Sequence, residues 1–221
     1  MKLYVLPLAD TGWGDAEHAL LSRVSARRQE KIKKLRAASD KKLSLYAALT
    51  ARMALSLALD IPADSLSFDT GAHGRPTLCG APEIGFSISH TKNFVLCAVS
   101  ESGPVGADAE YRKKAPAAVM RRAFCEDEIR YVNTPAFSDE RFFEIWTKKE
   151  AYTKYLGTGL AAKLTDINTL APALAPHFYT FSCENCICAV YAEHAPSGAP
   201  CFLTAEKIRG FFTLPAAASN I

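Results

Sequence analysis

No stretch of this 221-residue chain comes near the roughly 18 to 20 consecutive apolar residues that a membrane-spanning helix requires. The apolar run at Met1 to Pro7 is too short for the core of a signal peptide, so export is not expected. Cysteine occurs seven times (79, 97, 125, 183, 186, 188, 201), an odd number without framework spacing, and the thiols read as reduced. Charge of one sign is missing too. Twenty-six Lys and Arg against 23 Asp and Glu leave +3, far from the strongly basic footprint of a dedicated nucleic-acid binder. There is no low-complexity linker, no internal sequence repeat, no Walker-type G-x4-G-K-[ST] and no kinase signature set. These absences predict a soluble cytoplasmic protein without membrane or nucleic-acid partners.

What is present suits one large domain or two small ones, with 49% apolar and 10% aromatic residues. Strand character at Lys2 to Leu8, closed by Asp10-Thr11-Gly12, precedes a helical period from about 16 to 35 that ends in a basic cluster, Arg27 to Arg36. Ser39 or Asp40 is positioned to cap a second helix running to about Leu59, with Leu43, Ala47, Met53 and Leu57 on its buried side. Strands are expected at Phe86 to His90, Phe94 to Ser100 and Val105 to Glu110. Helices follow at about 115–124, 126–133 and 138–156, and strands at 178–181 and 187–192. Each half runs helices first and strands afterwards, which predicts an α+β (mixed α/β) architecture of two packed lobes, 1–102 and 103–221.

Four groups of residues can carry chemistry. In a strand over 105–110, Asp108 and Glu110 point to one face; this is either a pair for a hard divalent cation or an exposed acidic edge. On a helix, Trp146, Glu150 and Lys154 share a face at i, i+4, i+8, a spacing that also serves as a plain helix-stabilising pair. His90 ends an apolar strand at a turn, and Arg75 stands on the Gly74-Arg75-Pro76 loop; each is open to a phosphate role or to a local structural one. Cys183, Cys186 and Cys188 lack the paired spacing of a zinc site and read as small buried residues.

Taken in order, Gly74-Arg75-Pro76, Phe86-Ser87-Ile88-Ser89-His90, Val105-Gly106-Ala107-Asp108-Ala109-Glu110, Trp146-Thr147-Lys148-Lys149-Glu150 with Lys154, and Gly157-Thr158-Gly159-Leu160 resemble one family, the Sfp-type 4′-phosphopantetheinyl transferases. Arg122 to Glu128 resembles the phenylalanine-then-acidic helix start of the same family. The resemblance implies a pseudo-two-fold pair of half-domains with coenzyme A in the cleft between them. It implies transfer of the phosphopantetheine arm to a serine of an acyl or peptidyl carrier protein, with release of adenosine 3′,5′-bisphosphate. It further implies Asp108, Glu110 and Glu150 as ligands of Mg²⁺, for which Mn²⁺ can substitute. Arg75, Ser89, His90 and Lys154 would meet the coenzyme A phosphates, and Lys31 and Lys34 its nucleotide end. The catalytic set would be Glu150 as general base with Lys154 and His90, in a monomer. Ala107 and Ala109 stand where larger aliphatics are usual, which predicts strand packing that is looser or compensated nearby, and Arg75 replaces a commoner lysine. The competing reading is a non-catalytic module that binds coenzyme A or a carrier.

Overall fold

The computed structural model describes residues 1–9, 12–71, 74–159 and 162–213; Asp10, Thr11 and Leu160, named above, lie outside them. The first half contains β1 (Lys2–Pro7), α1 (Asp15–Leu20), α2 (Ala26–Lys34), α3 (Ala38–Leu59), the short strands β2 (Phe68–Thr70) and β3 (Pro76–Leu78), then the hairpin β4 (Gly85–Thr91) and β5 (Phe94–Ser100). The second contains β6 (Gly106–Tyr111), α4 (Ala117–Ala123), α5 (Glu126–Asn133), α6 (Asp139–Leu156), the hairpin β7 (Phe178–Cys183) and β8 (Cys186–Tyr191), then β9 (Cys201–Phe202) and α7 (Ala205–Thr213).

One topology occurs twice. In the first sheet, β1 pairs antiparallel with the second strand of the β4–β5 hairpin; in the other, β6 pairs antiparallel with the second strand of the β7–β8 hairpin. Each lone strand is followed by helices and then by its hairpin, and that repetition is the pseudo-two-fold relation of the halves. Two elements cross over. β9 adds parallel to the free edge of β1, and α7 packs against α3, so the end of the chain closes the first half.

Strand alternation sets the layers. Tyr4, Leu6, Val95, Cys97 and Val99 face α3, while Leu3, Val5, Phe94, Leu96 and Ala98 face the other sheet. From that sheet Ala107, Ala109, Cys186, Cys188 and Val190 complete the contact. Ala107 and Ala109 are 0% and 2% exposed, so their small size goes with close approach of the two sheets rather than loose packing. Cys186 and Cys188 are buried apolar residues, as read from the sequence, whereas Cys183 at the end of β7 is only half-buried. The opposite face of β8 turns Ile187 into a third cluster with Phe124, Phe142, Phe143 and Ile145.

Several sequence expectations are corrected. The period from 16 to 35 is not one helix: Val24 is extended, and Ser25 starts a new one, its hydroxyl accepting from the Arg28 backbone N–H at 3.3 Å. α3 begins after Ala37, so Ser39 and Asp40 lie inside its first turn instead of capping it. Leu57 is 39% exposed. α3 is long and apolar enough to cross a membrane by length and composition, but 72% of its most apolar window is buried inside the protein, the mark of a core helix. Buried within it, Arg52 donates to the carbonyls of Ala63 (2.7 Å) and Leu66 (3.1 Å) and fixes the chain that leaves the helix.

The second half is tied by a buried ion pair. Lys149 Nζ stands 2.7 Å from Glu128 Oε2, both side chains fully enclosed. The ammonium also donates to the carbonyls of Leu164 and Ile167, while Glu128 accepts from the backbone of Cys125 and from both the N–H and the hydroxyl of Thr169. The network joins α5, α6 and the 164–169 segment. Such a pair is weak evidence of net stability, but removing one partner leaves the other charge buried and uncompensated. Lys149→Met should therefore lower unfolding stability in urea by about 3 to 5 kcal/mol, and adding Glu128→Leu should recover much of the loss.

Candidate active site

Alternation along β6 places Gly106, Asp108 and Glu110 on the face that meets α6. Gly106 admits the helix: a Cβ there would run into the Ala151 carbonyl oxygen and stand 2.5 Å from the Tyr155 nitrogen. The helix therefore lies directly on the strand, and its i, i+4, i+8 residues fall beside the two carboxylates. Lys154 Nζ donates to Asp108 Oδ1 at 2.7 Å and to the Ala107 carbonyl at 3.0 Å. Trp146 Nε1 donates to Glu110 Oε1 at 3.1 Å. The tryptophan thus holds a carboxylate, a polar role beyond the core anchoring its ring suggests.

Glu150 lies between Trp146 and Lys154, half-buried. Burial first and Asp108 second push its carboxyl up to about 7, with Glu110 adding to the rise and Lys154 opposing it. Glu110 is raised for the same reasons, burial and then Asp108, against the hydrogen bond from Trp146. Among the described residues, no three His, Cys, Asp or Glu side chains form a ready-made metal cage. The donor chemistry nevertheless suits a hard cation: the three carboxylates repel one another, and the buried Asp108 Oδ2 has no hydrogen-bond partner. Mg²⁺ characteristically takes one or two carboxylates and completes its shell with water and substrate phosphate, without an all-protein cage.

On the first-half side of Lys154 opens a cleft of about 290 Å³. Arg28, Lys31, Arg75 and Lys154 supply its cationic lining, His90, Ser87 and Thr153 are further polar residues there, and Pro76, Phe86 and Ile88 are among its apolar walls. Arg75 reaches across the halves: its Nη1 donates to the Tyr155 carbonyl at 3.0 Å, near Gly157, which ends α6 in the left-handed conformation (φ 71°). The His90 ring is held below its usual pKa by its crowded surroundings, then by Lys154, Arg28 and Lys31. Lys34 is exposed and lines no part of the cleft, whereas Arg28, one turn before Lys31, does. Ser89 is not among the residues that line the cleft either. It is buried, and its hydroxyl donates to Asp108 Oδ1 at 2.7 Å.

Residues 13–102 match a family model described as 4′-phosphopantetheinyl transferase, N-terminal, and residues 104–204 match the 4′-phosphopantetheinyl transferase superfamily. The chain belongs to the 4′-phosphopantetheinyl transferase superfamily. It is 27% identical to a 4′-phosphopantetheinyl transferase of Bacillus subtilis over 166 residues, 74% of each chain. It is 32% identical to the 4′-phosphopantetheinyl transferase gsp of Aneurinibacillus migulanus over 143 residues, 64% of this chain and 59% of the relative. An L-aminoadipate-semialdehyde dehydrogenase-phosphopantetheinyl transferase of Eremothecium gossypii is 35% identical over 118 residues, 48% of this chain and 43% of its own.

The boundary between the two matched segments falls between β5 and β6, where the fold begins its second round. Because Asp108 and Glu110 of β6 meet Lys154 and Trp146 of α6 where the helix lies on the strand, the contact at Gly106 carries the candidate site. Gly106→Ala should cost about 3 kcal/mol in thermal or urea unfolding and abolish transferase activity even where the protein stays folded.

Proposed function

We propose that this protein transfers the 4′-phosphopantetheine arm of coenzyme A to a serine hydroxyl of an acyl or peptidyl carrier protein, releasing adenosine 3′,5′-bisphosphate. The observation that carries this reading is the junction at Lys154, which lines the cationic cleft and is ion-paired to Asp108. A dinucleotide-like anion laid along the cleft has its pyrophosphate brought to the carboxylate cluster. Membership in the superfamily supports the same reaction.

The roles are those that the family resemblance implies, with Arg28 added from the cleft, and the chemistry of each group suits its role. Arg75, His90 and Lys154 bind and orient the phosphates, while Arg28 and Lys31 take the nucleotide end. Asp108, Glu110 and Glu150 are the residues that would hold Mg²⁺, which when bound neutralises pyrophosphate charge. Glu150 takes the proton from the carrier serine, directly or through a water, as that oxygen attacks the phosphorus of the phosphopantetheine arm. Lys154 steadies the charge that develops on the transferring phosphate. Both halves of the site come from one chain, which supports a monomer as the working unit. Lys113 and Lys114, just after β6, and Arg121 and Arg122 on α4 are exposed and suit an acidic carrier.

The test is intact-mass spectrometry of apo acyl and peptidyl carriers incubated with the protein, coenzyme A and Mg²⁺. The expected result is a gain of one phosphopantetheine, lost with EDTA and with Asp108→Ala. Coenzyme A binding without transfer to any carrier would instead support the non-catalytic module. Glu150→Gln should lower kcat by about 10² to 10⁴; near-normal turnover would remove Glu150 from the base role. Lys31→Ala should raise the coenzyme A KM and flatten its salt dependence, whereas Lys34→Ala should leave both unchanged.

A further inference from the structure

Asp108 is held unevenly. Its Oδ1 accepts from Lys154 Nζ at 2.7 Å and from the Ser89 hydroxyl at 2.7 Å, while its Oδ2 is buried without a partner among the described residues. A carboxylate offers two equivalent oxygens, so concentrating both donors on one of them fixes the rotation of the group and leaves the other as its only uncommitted acceptor. The two donors come from different halves of the chain, Ser89 from β4 and Lys154 from α6. We propose that Ser89 is a positioning residue: with Lys154 it clamps Oδ1 and so commits Oδ2 as the atom that Asp108 gives to a divalent cation.

The inference rests on the carboxylate site proposed above and departs from the role the family resemblance gives Ser89. A hydroxyl carries one proton. While that proton is donated to Asp108 it is not available to a phosphate oxygen, which only accepts. Ser89 is buried and lines no part of the cleft, although its neighbours Ser87, Ile88 and His90 do. The adjacent inward serine behaves similarly: Ser87 Oγ accepts from the Ala107 backbone N–H at 2.9 Å. The two serines thus hold β6 from the side, one through its backbone and one through its carboxylate.

Mn²⁺ serves as the probe, followed by electron paramagnetic resonance at saturating coenzyme A, with coenzyme A affinity measured separately by calorimetry in EDTA. Ser89→Ala is expected to raise the Mn²⁺ Kd about tenfold, the lower end of the range for partners that orient metal ligands, and to leave the coenzyme A Kd in EDTA unchanged. Ser89→Thr, which keeps the hydroxyl, should restore Mn²⁺ binding. Ser89→Cys, close in volume and a weak donor, should fall between, and supplies the comparison should the alanine variant unfold in circular dichroism. Weakened coenzyme A binding in EDTA with unchanged Mn²⁺ affinity would overturn the proposal and return Ser89 to the phosphates. A wild-type protein that takes up coenzyme A but no Mn²⁺ would instead overturn the carboxylate site beneath it.

Discussion

Strands β4 and β6 lie against each other without a ladder of backbone hydrogen bonds between them, and the site exists only along that seam. β4 carries His90 near its end, the loop between β2 and β3 carries Arg75, and β6 carries Asp108 and Glu110. Without a ladder, the register of the two strands must be set by side chains. Ser87 on the Ala107 N–H and Ser89 on the Asp108 carboxylate supply it, both buried where a misplaced polar group is costly. The small residues at the seam belong to the same constraint, since Ala107 and Ala109 let the sheets approach on one side of β6 and Gly106 lets α6 approach on the other.

That geometry separates charges by sign. The first half contributes cations, Arg28, Lys31 and Arg75, and the second contributes the three carboxylates. Each set repels itself, which is why burial and like charge together push Glu150 and Glu110 up and cations help push His90 down. An anion relieves one set and a cation the other. Lys154 is the exception, a second-half cation that reaches into both groups and partly neutralises the carboxylates.

The local part of this arrangement was legible in the sequence. Strand alternation put Asp108 and Glu110 on one face, helical spacing aligned Trp146, Glu150 and Lys154, and the ends of α5 and α6 fell close to where they were expected. Interactions between distant segments were not legible. Lys149 sits in the middle of the best-defined motif, yet its partner Glu128 lies on another helix and its other acceptors are carbonyls of the 164–169 segment, which no periodicity marks. β9 has only two residues, too few for alternation to register, and its pairing with β1 joins opposite ends of the chain. The break at Ser25 was hidden because apolar residues on both sides of it kept a helical spacing.

The contrast between Lys149 and Lys154 shows why motif and role must be argued separately. Both are lysines of one helix, five residues apart, and both pair with a carboxylate at 2.7 Å. Lys149 is fully enclosed and its acceptors are all protein groups, so it closes a structural network that has no place for a ligand. Lys154 keeps about 30% of its side chain exposed, toward the cleft, and shares its carboxylate oxygen with a serine. A lysine with an open side can change partners when an anion arrives; a sealed one cannot. The helix thus uses one lysine to bind α5 and the 164–169 segment, and its next turn presents the other to the seam.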